Sequence, residues 1–367
     1  MLRIENPLRS LWMPTSWALL AAALHAAPQE KDKDTVVLVS GATATGTIES
    51  EDWGGLSIKE KGVAKLVPWA EVASVSYGDA PEDFDPARSA ADGGRLGEAK
   101  AGLLRVKDES DLRPVLRQQV LFHLAWVEQR TNDTEAALGH SRELLKTFPK
   151  GRYLRPAAEN VAFALLAKGD VAGASAFLDQ VAQAANDPGP QAEIALVRGH
   201  LFEMQKKVGE ARAQYESAEK ASATSPAVRQ EAKLGRARCS LLDGNAAEAE
   251  PIFRELTQAD APSHVLAGAW NGLGDLYSEK GRLDRNIDLV VDGAYGYLRG
   301  VVQYTPVIGD PTVEHERALS GASRCFKYIS ELEQNVDRKK QYADRSQSLN
   351  AELLKEYPTS GFLPKSG

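Results

Sequence analysis

Small residues stand twelve positions apart in pairs along the chain, and this spacing constrains the fold more than any other feature of the sequence. Five pairs share it: Ala87 and Ala99, Ala125 and Ala137, Ala162 and Ala174, Gly199 and Ala211, and Ala237 and Ala249. Leu, Phe or Tyr residues follow at helical spacing, which indicates amphipathic helices. Units that recur about every 34 to 40 residues indicate stacked helix pairs, because one pair cannot bury its apolar face alone.

The segment WNGLGDLYSEKG at 270–281 shows why a small residue is needed. Leu273 and Tyr277 lie four positions apart, on one face of a helix. Gly274 stands beside them and removes the side chain where a paired helix must approach closely. A glycine inside a helix costs about 0.5–1 kcal/mol relative to alanine, so packing has to compensate. Gly281 is predicted to mark the turn into the second helix.

Trp270, Leu273, Gly274 and Tyr277 match the first-helix signature W-x2-L-G-x2-Y, and on these residues the chain resembles the tetratricopeptide repeat family. The resemblance implies a mainly α protein with a right-handed α-α superhelix over residues 84–360. The Trp270 repeat departs from the pattern by the additional stretch NIDLVVDG. Helix ends such as ELLKTFP and ELLKEYP also resemble the periplasmic tetratricopeptide proteins of bacterial envelope biogenesis.

Residues 34–78 alternate with period two instead. Five short segments rich in Val, Ile and Thr are separated by turns that contain glycine, which predicts β-strands. Their order resembles SH3-like and Sm-like barrels, so a small β-barrel domain is predicted before the helices. Sm-like modules can bind RNA, but this segment offers no row of aromatic residues for stacking. A structural or docking role is therefore predicted, with RNA binding as the alternative.

The first 27 residues resemble a secretory signal peptide. Arg3 and Arg9 flank a polar start, an apolar stretch follows, and small residues precede Pro28. The apolar stretch is short for a membrane-spanning helix, which needs about 20 residues; an uncleaved anchor is the alternative. We predict that residues 1–27 are removed and that the protein is exported to the periplasm or cell envelope, with no transmembrane segment after cleavage.

The two cysteines, Cys239 and Cys325, fall in first helices two repeats apart. Neighbouring helices already pack about 8–10 Å apart, so helices two repeats apart lie farther from each other than that. A disulfide needs Cα atoms within about 7 Å. Both thiols are therefore predicted to be free, although an exported protein can carry disulfides.

No catalytic or metal-binding motif occurs in the sequence: HExxH, CxxC, the P-loop, GxSxG and GxGxxG are all missing. Carboxylates alternate with Lys and Arg, as on solvated helix faces. We predict a protein without enzymatic activity, cofactor, metal or small-molecule substrate. The net charge of −7 argues against nucleic acid as the main partner, because phosphate binding uses a basic surface.

The predicted function is that of a protein–protein interaction scaffold or adaptor of the cell envelope, which binds a partner protein or peptide on the concave face of the superhelix. In the family, the residue after the first-helix small position faces the concave side. Together with the position three before the small residue, this rule selects seven partner-binding residues: Phe122, Trp126, Phe163, Leu196, His200, Arg238 and Asp275.

This series runs from aromatic to charged, so the N-terminal end of the groove is predicted to be the more apolar. Trp126 and Phe163 are either exposed anchors or parts of an extended core; their sequence positions fit both. Two other functions stay open: a self-associating architectural subunit without a peptide ligand, and an RNA-binding protein that uses the β-barrel.

Overall fold

A computed structural model describes residues 33–221, 226–306, 311–357 and 360–364. The predicted signal peptide, residues 1–27, lies outside the described residues and stays a prediction. A small antiparallel sheet comes first in the described chain, and an array of helix pairs follows it.

The sheet has five strands: β1 (Asp34–Leu38), β2 (Thr43–Glu51), β3 (Gly55–Glu60), β4 (Val63–Pro68) and β5 (Val72–Ser76). All neighbours are antiparallel, in the order β4-β3-β2-β1-β5. Alternate residues of β2 are buried, including Ala44 and Ile48, as period-two patterning predicts. Since β4 and β5 stand at opposite ends of this order, the structure confirms the strands as a sheet, and the closed barrel stays a prediction.

The described residues after the sheet form fourteen helices in seven consecutive pairs. The first helices of the pairs are α1 (Phe84–Asp92), α3 (Pro114–Arg130), α5 (Leu154–Ala167), α7 (Pro188–Met204), α9 (Pro226–Leu242), α11 (Ser263–Leu283) and α13 (Val313–Leu332). The second helices are α2 (Leu96–Lys107), α4 (Thr134–Thr147), α6 (Val171–Ala185), α8 (Val208–Ala221), α10 (Ala246–Leu256), α12 (Ile287–Gln303) and α14 (Val336–Glu356). The mainly α fold class, a helical repeat array behind a small sheet, is confirmed.

Glycine in the first helices makes room for tyrosine from the second helices. A Cβ atom added to Gly274 would lie 3.0 Å from ring carbons of Tyr297, which is almost fully buried. Tyr215 occupies the equivalent place two pairs earlier, between Gly199 and the following first helix. The predicted close approach is therefore real, and its cause is an aromatic ring inserted between successive first helices.

The prediction that Gly281 marks a turn is wrong. Helix α11 continues to Leu283, and Gly281 is buried inside it. A Cβ at Gly281 would lie 2.7 Å from the backbone nitrogen of Val290, so this glycine brings the start of α12 against the end of α11. The additional stretch NIDLVVDG belongs to α12. Its first residue, Asn286, is the N-cap, and its side chain accepts from the N–H groups of Asp288 and Leu289. The other residues of the stretch form the first turns of the helix.

The sheet and the first helices share one hydrophobic core, which runs from Val36 and Leu56 to Phe84, Leu103 and Leu124. A polar contact adds to it: the buried Glu51 carboxylate accepts from the Tyr77 hydroxyl at 2.5 Å and from the Gln119 side chain of α3 at 2.7 Å. The sheet is consequently packed on the helical array and is not a separately cored unit.

The far end of the array returns to its beginning. Arg130, at the end of α3, donates to the backbone oxygen of Glu356 at 3.3 Å. Its guanidinium also lies 5.6 Å from the ring centroid of Tyr357 and 4.4 Å from that of Trp126. The helical array therefore winds far enough for its last helix to contact its second pair.

Candidate functional site

The seven predicted partner-binding residues all lie on first helices, on α3, α5, α7, α9 and α11. The structure exposes few of them. Leu196 is 0% exposed, Phe122 6% and Arg238 5%, so these three do not present side-chain surface in an open groove. Phe122 stacks on Tyr153 with ring centroids 3.9 Å apart. As exposed contact residues these three predictions are corrected. Phe122 is covered by Tyr153, Leu196 by the core of α8 and α9, and Arg238 by its carboxylate partners on α7 and α13.

Arg238 joins three first helices. It forms a fork with the Glu203 carboxylate of α7, with N–O distances of 2.8 and 3.1 Å. Its third nitrogen donates to Glu314 of α13 at 2.6 Å. Burial alone would raise the pKa of Glu203, but the Arg238 guanidinium outweighs it and holds this pKa at about 2. A carboxylate kept ionised in this way is a structural ion-pair partner and no proton acceptor at neutral pH.

A second arginine makes a matching connection nearer the N-terminus. Arg155 of α5 donates two hydrogen bonds to Glu231 of α9, one of them at 2.7 Å, and a third to Glu159 at 3.2 Å. His264 of α11 lies 3.0 Å from Glu231, and His200 of α7 lies 3.2 Å from Glu159. The predicted contact residue His200 is thus hydrogen-bonded to another first helix.

Asp275 is also engaged within the protein. It accepts from the Tyr297 hydroxyl of α12 and from the Arg317 guanidinium of α13. The arrangement of Tyr215, Glu203 and Arg238 is the same: a tyrosine from a second helix, an acid from its first helix, and an arginine from a later first helix. The same arrangement of tyrosine, acid and arginine therefore occurs in two repeats of the array.

The ion pairs of Arg155 and Arg238 join first helices that are two pairs apart. Arg155 reaches from α5 to α9 past α7, and Arg238 reaches from α9 to α13 past α11. First helices two pairs apart touch only when the superhelix is tightly wound. Paired charges therefore connect the first helices from α5 to α13 in this described part.

The two aromatic residues at the N-terminal end of the predicted series, Trp126 and Phe163, are less buried than Phe122, Leu196 and Arg238. Trp126 and Phe163 occupy equivalent positions on α3 and α5, and both are half-buried, as is Leu166 one turn beyond Phe163. Trp126 packs against the cores on both sides of it and carries the Arg130 guanidinium on its ring. Both earlier alternatives therefore hold in part: these side chains extend the core and still present apolar surface.

Sequence reasoning missed the residues that close the inner face, above all Arg155, Glu231 and Glu314. Alternating charges on helices predict solvated faces, whereas the side chains of these three are only 13%, 7% and 5% exposed. Their sequence positions carry no signal that separates them from exposed charges. Both cysteines are free and buried on α9 and α13, as predicted.

The described residues contain no group of three or more His, Cys, Asp or Glu side chains placed to hold a metal ion. None of the helices in that part of the chain combines the length and the apolar character that a membrane crossing requires.

No protein-family model matches the sequence, and no curated protein is similar to it at a significant level. Solved structures of similar fold include a tetratricopeptide repeat protein from Parabacteroides merdae, at 18% identity and a TM-score of 0.41, covering 72% of this chain and 98% of that one. PilW, a widely conserved type IV pilus biogenesis factor, gives 18% identity, a TM-score of 0.38 and coverage of 67% and 96%. The human IFIT1 dimer with m7Gppp-AAAA gives 17% identity and a TM-score of 0.42, and the match covers 73% of this chain and 63% of that one.

Identities and TM-scores this low describe a general likeness of helical repeat arrays. What these proteins bind or assemble with is therefore a property of theirs alone. The absence of nucleic acid, cofactor and substrate among the partners of this chain stays a prediction.

Proposed function

We propose that this protein is a non-enzymatic interaction scaffold of the cell envelope, which binds a protein or peptide partner at the N-terminal end of its inner face. The observation that carries the proposal is the half-buried pair Trp126 and Phe163 on α3 and α5, beside first helices that paired charges connect. Partly exposed aromatic residues are frequent binding anchors, since a few aromatic and Arg residues carry most of the energy of an interface. Export rests on the sequence of residues 1–27 alone.

The proposed contact area is smaller than the groove expected from the sequence. It consists of Trp126, Phe163 and Leu166, with Arg130 at its border. Arg130 brings a guanidinium that can pair with an acidic group of the partner after it leaves the Glu356 backbone oxygen. A partner with an apolar side chain next to a carboxylate fits this combination.

The double variant Trp126→Ala/Phe163→Ala tests the proposal. Tagged full-length protein is purified from its native host, and partners that co-purify are identified by mass spectrometry. Loss of both rings is expected to weaken partner capture by about 2 kcal/mol or more. Leu242→Ala removes a residue that is 60% exposed at the end of α9 and serves as the matched control.

Equal capture by the double variant and the wild type, per folded molecule measured by circular dichroism, would refute the proposed contact area. The RNA alternative is tested in parallel with a fluorescent single-stranded RNA at low and high salt. Salt-dependent binding to RNA, with no protein captured, would replace the scaffold proposal by nucleic-acid binding.

A further inference from the structure

A second surface lies between α11 and α12, on a different stripe of α11 from Asn271 and Asp275. It is a groove of about 330 Å³, which is within the usual size of binding clefts. The residues that line it are Trp270, Leu273, Tyr277, Asp292, Tyr295, Gly296 and Arg299. The predicted function makes no use of this groove, and Trp270 belongs to the motif from which the repeats were read.

Glycine forms the floor of the groove. A Cβ atom at Gly296 would lie 2.9 Å from the backbone oxygen of Trp270 and 2.9 Å from the backbone nitrogen of Gly274. The two helix backbones thus meet directly, and the larger side chains stand on both sides of this contact. Trp270 and Tyr277 are half-buried, and Tyr295 is 54% exposed, so three aromatic rings border an apolar floor.

Opposite charges stand at the two ends of the groove. Asp292 and Arg299 are seven residues apart on α12, two turns of helix or about 10 Å. Both are exposed, and within the described chain neither has an acidic or basic partner in ion-pair distance. The Arg299 guanidinium lies 4.4 Å from the Trp270 ring centroid, which leaves its N–H edges available. Other charged residues on these helices are paired: Arg282 with Glu279, and Asp275 with Arg317.

We propose that this groove binds an extended peptide segment in which a basic and an acidic residue stand three positions apart, with apolar residues between them. A segment in the extended polyproline II conformation turns once every three residues and rises about 3.1 Å per residue. Residues three positions apart therefore lie on one side, about 9 Å from each other, which is close to the separation of Asp292 and Arg299. The basic residue pairs with Asp292 and the acidic residue with Arg299. The residues between them lie on the floor, against Trp270 and Tyr277, where a proline fits well because aromatic grooves bind extended Pro-containing segments.

The test uses three blocked peptides that differ only in charge: acetyl-Gly-Lys-Pro-Leu-Glu-Gly-amide, the same peptide with Lys at both charged positions, and the same with Glu at both. Binding to the full-length, 15N-labelled protein is followed by NMR at the indole N–H of Trp270, which Trp270→Phe assigns. The mixed peptide is expected to bind about threefold more tightly than either control, the ratio that one exposed ion pair supplies.

Charge variants make the test specific, because both residues are exposed and their replacement leaves the fold intact. Arg299→Glu should shift the preference to the Lys/Lys peptide, and Asp292→Lys should shift it to the Glu/Glu peptide. The indole signals of Trp53, between β2 and β3, and of Trp69, between β4 and β5, report whether each variant is folded. A Trp270 signal that does not move at millimolar peptide, or three equal affinities in the wild type, would overturn the proposal.

Discussion

Replacing Arg238 by methionine should destabilise the protein more than any exposed charge change. Arg238 is 5% exposed, and its guanidinium compensates two carboxylates, Glu203 and Glu314. Breaking a buried ion pair by removing one partner costs about 3–5 kcal/mol, because the remaining charge stays buried without compensation. A long apolar side chain fills most of the space, so the loss is electrostatic rather than a cavity effect.

The pKa of Glu203 gives a second measure of the free energy that this ion pair contributes. It is held at about 2, against an ordinary value of 4.5, and this difference corresponds to about 3 kcal/mol of stabilisation at neutral pH. Because the folded pKa is the lower one, the stabilisation is complete above pH 4.5 and is lost as the pH falls toward 2. In Arg238→Met, burial acts on Glu203 without the guanidinium and raises its pKa, so acid should stabilise the variant relative to the wild type.

Urea unfolding followed by circular dichroism at pH 7 and pH 4 measures both effects. The expected loss at pH 7 is about 3–5 kcal/mol, and it should shrink at pH 4. Arg254→Met, which removes an arginine 60% exposed and paired with Glu250 at 2.8 Å, is the matched control and should cost about 1 kcal/mol or less. A triple variant that also carries Glu203→Gln and Glu314→Gln should recover part of the loss. A loss for Arg238→Met no larger than that of the control would refute the assignment of a buried, compensating charge.

Three further predictions concern packing, thiols and pH. Gly296→Ala should cost about 2 kcal/mol, since its Cβ would meet backbone atoms, whereas Gly139→Ala, with open space around it, should stabilise by up to about 1 kcal/mol in thermal unfolding. Burial raises the pKa of Cys239 to about 12 and that of Cys325 to about 11, so a thiol reagent at pH 8 should label neither in native protein and both after denaturation. Burial lowers the pKa of His123 to about 4, so its unfolded form binds a proton first, and about 2 kcal/mol of stability should be lost from pH 7.5 to pH 5, a loss that His123→Gln removes.

The sequence predicted the helix pairs because their determinant is local. Ala99, Ala174 and Ala249 are fully buried, as the twelve-residue spacing requires, since a small residue at a fixed step decides how closely two adjacent helices pack. The prediction of a turn at Gly281 is wrong for a related reason. A glycine at a turn and a glycine at a helix contact look alike in one sequence, and only Val290 on the facing helix distinguishes them.

The candidate site depended on geometry that one sequence does not contain. The pattern that selected Leu196 and Arg238 predicts which side of a helix faces inward, and both residues are buried. Whether that side is open depends on the angle between successive pairs, and small changes in it add up along the array. The contact between Arg155 and Glu231 is a consequence of that sum.

The two arginines that skip a helix connect the winding of the array to its accessible surface. Arg155 and Arg238 hold first helices two pairs apart as long as the carboxylates of Glu231 and Glu314 remain ionised. For Glu231, the Arg155 guanidinium outweighs the effect of burial and keeps its pKa well below the ordinary value. The charges therefore fix a narrow superhelix instead of marking a binding groove. The proposed partner surfaces are therefore those outside these ion pairs: the half-buried Trp126 and Phe163, of which Trp126 lies beside the contact of Arg130 with Glu356, and the groove at Trp270.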